Sequence, residues 1–136
     1  MEPPIEDRWK GGKAFYFIST NYEQKNGPIC RRVMDELWKT HPDVTLRIIG
    51  DPPPNRDLLP GRVIFEGFFD KANVDELHEY RSHLADAFAI LHPTDADTTA
   101  MVIIEAAFFG CPAIFIFFSS MAFVEVSFKI LFITSP

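Results

Sequence analysis

The chain has 136 residues, 47% of them hydrophobic and 24% charged, with a formal net charge of −6. That length suits one domain that buries a core without disulfides or metal. The acidic balance carries no basic stripe, Lys10 and Lys13 being too small a cluster, and so excludes a nucleic-acid binder held by phosphate contacts.

In chain order, the segment 1–13 is acidic and proline-bearing, lacks the charged-then-apolar order of a signal peptide, and is expected to be a leader or linker ending at Gly11-Gly12. Ala14 to Thr20 is a near-continuous apolar run and predicts a strand buried on both faces. After the polar turn 21–27, Pro28 opens a predicted helix to His41, with Ile29, Val33, Met34, Leu37 and Trp38 along one face and Pro42 as its stop. Val44 to Gly50 predicts a second strand. Four prolines between Asp51 and Gly61 demand a loop, and Arg62 to Gly67 predicts a third strand.

Asn73 is positioned to cap a helix to Leu84, with Asp75 and Glu76 at its positive end and an apolar stripe of Val74, Leu77, Tyr80 and Leu84. Ala87 to Leu91 predicts a fourth strand, Thr99 to Phe109 a helix closed by Gly110, and Ala113 to Phe118 a fifth strand. No side chain from Ala106 to Val124 is charged, a run of nineteen residues long enough to be a membrane-span candidate. Gly110, Pro112, Ser119 and Ser120 interrupt it, which favours a buried helix, turn and strand. Strands alternating with helices predict an α/β domain, a Rossmann-like doubly wound parallel sheet covered on both faces. The loops after Thr20, Gly50, Gly67 and Leu91 then share one rim, where such sheets bind ligands.

Cys30 and Cys111 form no C-x-x-C and no zinc spacing, and the four histidines form no H-E-x-x-H. The expectation is two buried thiols in a reducing, cytoplasmic setting and no metal site. The rim loop His92 to Thr99 leads into a helix start, which offers unpaired N–H groups and a positive field to a phosphate. Asp97 and Glu105 lie eight residues apart, about 12 Å of rise on a helix, too far to share one metal but suited to two ends of an extended ligand. The bland alternatives are a helix cap at Asp97 or Thr98 and a solvated position at Glu105. Against the latter, Glu105 sits within VIIEAAFFG, and a carboxylate there needs a partner or a ligand. Lys25 precedes a helix start and could meet a phosphate as a point charge, or simply be a solvated loop lysine. Gly50 and Gly67 follow apolar strands, either as turn glycines or to let backbone approach a base or ribose. No G-x-G-x-x-G, Walker-type or G-x-S-x-G sequence is present.

The segments FYFISTNYEQKNGPICRRVMDEL, HPDVTLRIIGDPP, RVIFEGFFDK and LHPTDADTTAMVIIEAAFFGCPAI together resemble the C-terminal, donor-binding domain of GT-B glycosyltransferases of the retaining family four (glycosyltransferases group 1). The likeness spans residues 14–114. Its most specific part is Pro93, Thr94, an acid at Asp97, seven residues, Glu105-Ala106 and the Gly110-Cys111-Pro112 step. The resemblance implies a hexosyltransferase that uses a nucleotide-diphospho-sugar donor without a metal or other cofactor. Within it, Glu105 would hold the donor ribose and Asp97 would contact the sugar. The amides of Thr98, Thr99, Ala100 and Met101 would serve the distal phosphate, Lys25 would neutralise the leaving diphosphate, and Gly67 and Phe68 would border the base. The sequence departs from the family's pattern at four places. Asp97 stands for a glutamate, Asn26 separates Lys25 from Gly27, Ala100 stands for a glycine, and Ser19 and Thr20 occupy the region of a usual arginine.

The resemblance further implies an acceptor-binding domain as partner, absent here, so that the chain alone is expected to be inactive or very weak. Residues 115–136 show no resemblance and form an apolar tail, read as an altered end or a membrane-seeking one, with Glu125 and Lys129 spaced to pair on a helix. Two alternatives stand beside the glycosyltransferase. One is a non-catalytic nucleotide- or partner-binding module of the same fold, and the other is peripheral membrane contact through the tail.

Overall fold

The computed structural model describes residues 13–55, 61–93, 101–117 and 127–131. Its elements are β1 (Ala14–Ser19), α1 (Gly27–Leu37), β2 (Thr45–Gly50), β3 (Val63–Gly67), α2 (Val74–Asp86), β4 (Ala89–His92), α3 (Met101–Phe108), β5 (Ala113–Phe117) and β6 (Ser127–Leu131). The sheet order is β3-β2-β1-β4-β5-β6, parallel from β3 to β5. This is the Rossmann-like doubly wound arrangement. The chain winds outward from β1 to β3, then returns to place β4 on β1's other side, so the direction of winding reverses between β1 and β4.

Alternation along the strands feeds two cores. On one face Cys30 and Met34 of α1, with Trp38 just past its end, pack on Phe15, Phe17, Leu46, Ile48 and Leu91. On the other, Tyr80 and Leu84 of α2 and Ile103 and Ala106 of α3 pack on Tyr16, Ile49, Ile90 and Ala113. Cys30 is fully buried, a position the apolar stripe of the sequence did not include. Its thiol pKa is pushed well up by burial, so it behaves as a packing group rather than a nucleophile.

Local chemistry sets the ends of these elements. The Asn73 side chain accepts from the Asp75 and Glu76 amides, the expected cap of α2. Helix α1 stops at Leu37, short of the expected His41, because the chain turns there: His41 and Thr40 N–H return to the Leu37 carbonyl while the buried Trp38 indole donates to Val44 O at 2.8 Å. Val74, assigned to the apolar stripe of α2, is 67% exposed, since it occupies the first helical turn at the rim. Gly110 takes φ 70° after α3, the left-handed stop expected of it.

The sheet does not end at β5. Strand β6 pairs antiparallel with it, Ala113 facing Leu131 and Phe117 facing Ser127. Lys129 therefore lies in a strand, which removes the helical pairing with Glu125 in the expected form; Glu125 itself is outside the described residues. Among the described residues no helix is long and apolar enough to cross a membrane.

A polar ladder crosses one end of the sheet. Arg47 on β2 donates to Glu66 on β3, His83 of α2 lies 3.7 Å from the other Glu66 oxygen, and the Tyr16 hydroxyl bonds His83 Nδ1 at 2.8 Å. Burial, above all, pushes Tyr16 up to about 12 and Tyr22 up to about 12; Tyr80 is raised further by burial and then by Glu105. These are the chain's three tyrosines. Their neutral forms are favoured by the native state, so their contribution to stability is complete below pH 10.0, the unfolded value, and is lost as pH climbs through about 12. A spectrophotometric titration should show no native tyrosinate at pH 10, followed by cooperative base unfolding, and Tyr16→Phe should flatten that loss.

Gly50 supplies a second prediction. It closes β2 at φ 112°, and a Cβ there would lie 1.9 Å from the Ser19 carbonyl oxygen. Gly67 closes β3 at φ 97° with open space around it. In urea unfolding, Gly67→Ala should cost about 1–2 kcal/mol, the left-handed penalty alone. Gly50→Ala should cost clearly more, because β1 and β2 must also separate.

Candidate functional site

A cleft of about 230 Å³ opens at the carboxyl ends of the strands. Each expected rim loop contributes to it: Ser19, Thr20 and Lys25 after β1, Gly50 at the end of β2, Phe68, Phe69 and Lys71 after β3, and His92 and Pro93 after β4. Phe17 and Ile49 form part of the floor, with Tyr80 and Val102 from the helices. It therefore lies at the β1/β4 reversal, the crevice where doubly wound sheets take ligands. Among the described residues, four phenylalanine or tyrosine rings and two lysines line it, and no carboxylate does. A second cavity, of about 370 Å³, lies between α1 and the sheet, walled by Met34, Leu37, Leu91 and Ile114, and among the described residues no cation lines it.

The loop after β1 is built from its own hydrogen bonds. Ser19 Oγ and the Asn21 backbone bond one another at 3.0 Å. Tyr22 folds back on Gly27, where a Cβ would meet the ring at 2.4 Å, and its ring stands edge-on to Phe17. Asn26 takes φ 62° and ψ 35°, the left-handed conformation that asparagine tolerates better than other side chains. The residue that interrupts the Lys-Gly step thus supplies the turn a glycine would otherwise make. Its Nδ2 donates to Pro93 O at 3.0 Å and ties the two rim loops together across the reversal.

This folding has a cost for anion binding. The Gly27 amide donates to Tyr22 O, the Ile29 amide donates to Asn26 O, and Pro28 has no N–H. The first-turn amides of α1 are spent internally, so the helix start offers an anion its dipole but not its donors. Lys25, half-buried on the cleft wall, remains placed to meet negative charge there.

Glu105 has the partner that its apolar surroundings require, though not one the sequence indicated. Lys71 Nζ, 34 residues earlier, bonds Glu105 Oε1 at 2.8 Å and lies 4.6 Å above the Tyr80 ring. The Tyr80 hydroxyl, on a side chain only 1% exposed, meets no hydrogen-bond partner of acceptable geometry among the described residues. The Glu105 carboxylate is nonetheless near enough to help keep that phenol neutral. Spacing along α2 places Tyr80 in the core. It is core, and it also lines the cleft, with Lys71 over its ring and Glu105 near its hydroxyl.

Of the other expected site residues, Phe68 lines the cleft and is 64% exposed, whereas Gly67 ends β3 just outside it. Met101 is exposed at the start of α3, and Val102 lines the cleft in its place. Asp97, Thr98, Thr99 and Ala100 lie outside the described residues. Among the described residues no three His, Cys, Asp or Glu side chains come together as metal ligands. The chain matches no protein-family model and no curated protein sequence.

A buried hydroxyl without a partner destabilises a fold by about 1–3 kcal/mol. Tyr80→Phe keeps the ring and removes that group, so it should raise the urea midpoint with an unchanged slope. A lowered midpoint would mean that Glu105 already satisfies the hydroxyl in the folded protein.

Proposed function

We propose that this chain binds a nucleoside diphosphate sugar as the donor-binding domain of a retaining, metal-independent glycosyltransferase of GT-B type. The observation that carries the reading is the character of the switch-point cleft: aromatic walls, two lysines and no described carboxylate in its lining. Aromatic faces suit a base, and ammonium groups suit a diphosphate. In the transfer, the bond from the anomeric carbon to the diphosphate oxygen breaks, a bond to the acceptor oxygen forms with retention, and the acceptor's hydroxyl proton passes to the departing diphosphate. Lys25 stabilises the negative charge on the departing diphosphate. Glu105 takes the ribose hydroxyls and Asp97 the sugar. The acceptor comes from a second domain, and catalysis requires both walls of that cleft. The proposed setting is cytoplasmic, in keeping with two buried cysteines that are free thiols.

One observation favours the second reading, a non-catalytic nucleotide-binding module. The amides at the start of α1 are consumed by the loop itself, and Asn26 is committed to Pro93. A domain arranged this way could hold a nucleotide without supporting departure of its diphosphate.

Calorimetric titration with UDP-, GDP- and ADP-sugars separates these from a chain that binds none. One of the three should bind, and Glu105→Ala should weaken it by about tenfold or more, as for a lost charge-assisted hydrogen bond of about 1.5–3 kcal/mol. Absence of binding for all three, or indifference to Glu105→Ala, contradicts the proposal. Sugar transfer by an assembled two-domain protein would exclude the non-catalytic reading.

A further inference from the structure

The Lys71–Glu105 pair joins a cleft residue to a residue behind the cleft. Lys71 lines the cavity, Glu105 does not, and the ammonium bridges them while covering the ring of Tyr80. Lys71 is 49% exposed and Glu105 26% exposed, so their attraction is partly screened and the lysine has room to rotate. We propose that Lys71 is a latch that exchanges partners: without ligand it holds Glu105, and when a diphosphate enters the cleft it turns onto the anion and releases the carboxylate to ligand hydroxyls. The ligand class rests on the nucleoside diphosphate reading, but the exchange itself needs only an anion.

The chemistry makes the two halves of such a ligand cooperate. A carboxylate held by an ammonium is a poorer acceptor for hydroxyl groups, and an ammonium held by a carboxylate is a weaker anion site. An anion that draws Lys71 away improves Glu105 as an acceptor, and by reciprocity a diol on Glu105 improves Lys71 as an anion contact. The exchange also takes the Lys71 ammonium off the Tyr80 ring.

The test uses the full chain and inorganic diphosphate, titrated at low salt against wild type, Glu105→Gln, Lys71→Met and the double variant. Both substitutions are close in size to the native side chain, and circular dichroism reports whether each folds. The latch predicts that Glu105→Gln binds diphosphate roughly two- to fivefold more tightly than wild type, the worth of one exposed ion pair. It predicts that Lys71→Met binds more weakly, and that the double variant resembles Lys71→Met with the gain abolished. The latch is overturned if Glu105→Gln binds no more tightly, if its gain survives in the double variant, or if no variant binds diphosphate. Its fate is separable from that of the nucleotide reading. A wild type that follows this pattern but gains nothing from an attached nucleoside keeps the latch and loses the nucleotide. Tight nucleoside diphosphate binding without the Lys71-dependent gain does the reverse.

Discussion

Strand β1 carries both cores of the domain at once. Phe15 and Phe17 turn to the α1 face, Ala14 and Tyr16 turn to the α2–α3 face, and all four are at most 9% exposed. Such a strand can only lie between two others, and it does, with β2 on one side and β4 on the other. Since both neighbours are parallel to it, their connecting helices must leave in opposite directions and open a crevice above its carboxyl end. The placement of Lys25, Gly50, Lys71 and His92 around one cleft follows from that constraint rather than from any motif they share.

Apolar strand runs, the Asn73 cap and the Gly110 stop were legible because each is a local rule acting on a few neighbouring residues. The same locality explains the misses. Trp38 looks like a continuing helical stripe until its indole is seen to bond Val44 across the turn, a contact made only after the chain has reversed. Strand β6 was hidden because the chain after Ile114 is apolar regardless of period, while its pairing is with β5 rather than with its own neighbours in sequence. Gly27 illustrates the reverse. Its need is set by the Tyr22 ring lying on it, within the reach of the seven-residue loop between β1 and α1, yet nothing in the sequence marks that contact.

The polar groups divide in the same way. A carboxylate within VIIEAAFFG announces that Glu105 has a partner but not which one. Lys71 becomes that partner only because α2 and α3 lie on the same face, bringing the loop after β3 against the side of α3. Asn26 shows a departure from a sequence pattern acquiring a physical role, since its left-handed backbone replaces a glycine and its side chain closes the rim onto Pro93. Tyr80 combines both lessons: its ring fulfils the core role that spacing implies, and its hydroxyl lies near the Glu105 carboxylate, which spacing does not show.

The cleft above β1 and β4 is the proposed nucleoside diphosphate site. Amide chemical-shift mapping of the labelled chain, with UDP, GDP and ADP added in turn, tests it most directly. One of them should move the signals of Thr20, Lys25, Gly50, Lys71 and His92 together and saturably. Shifts confined to the α1 cavity around Leu37 and Ile114, or no saturable shifts with any of the three, would contradict it.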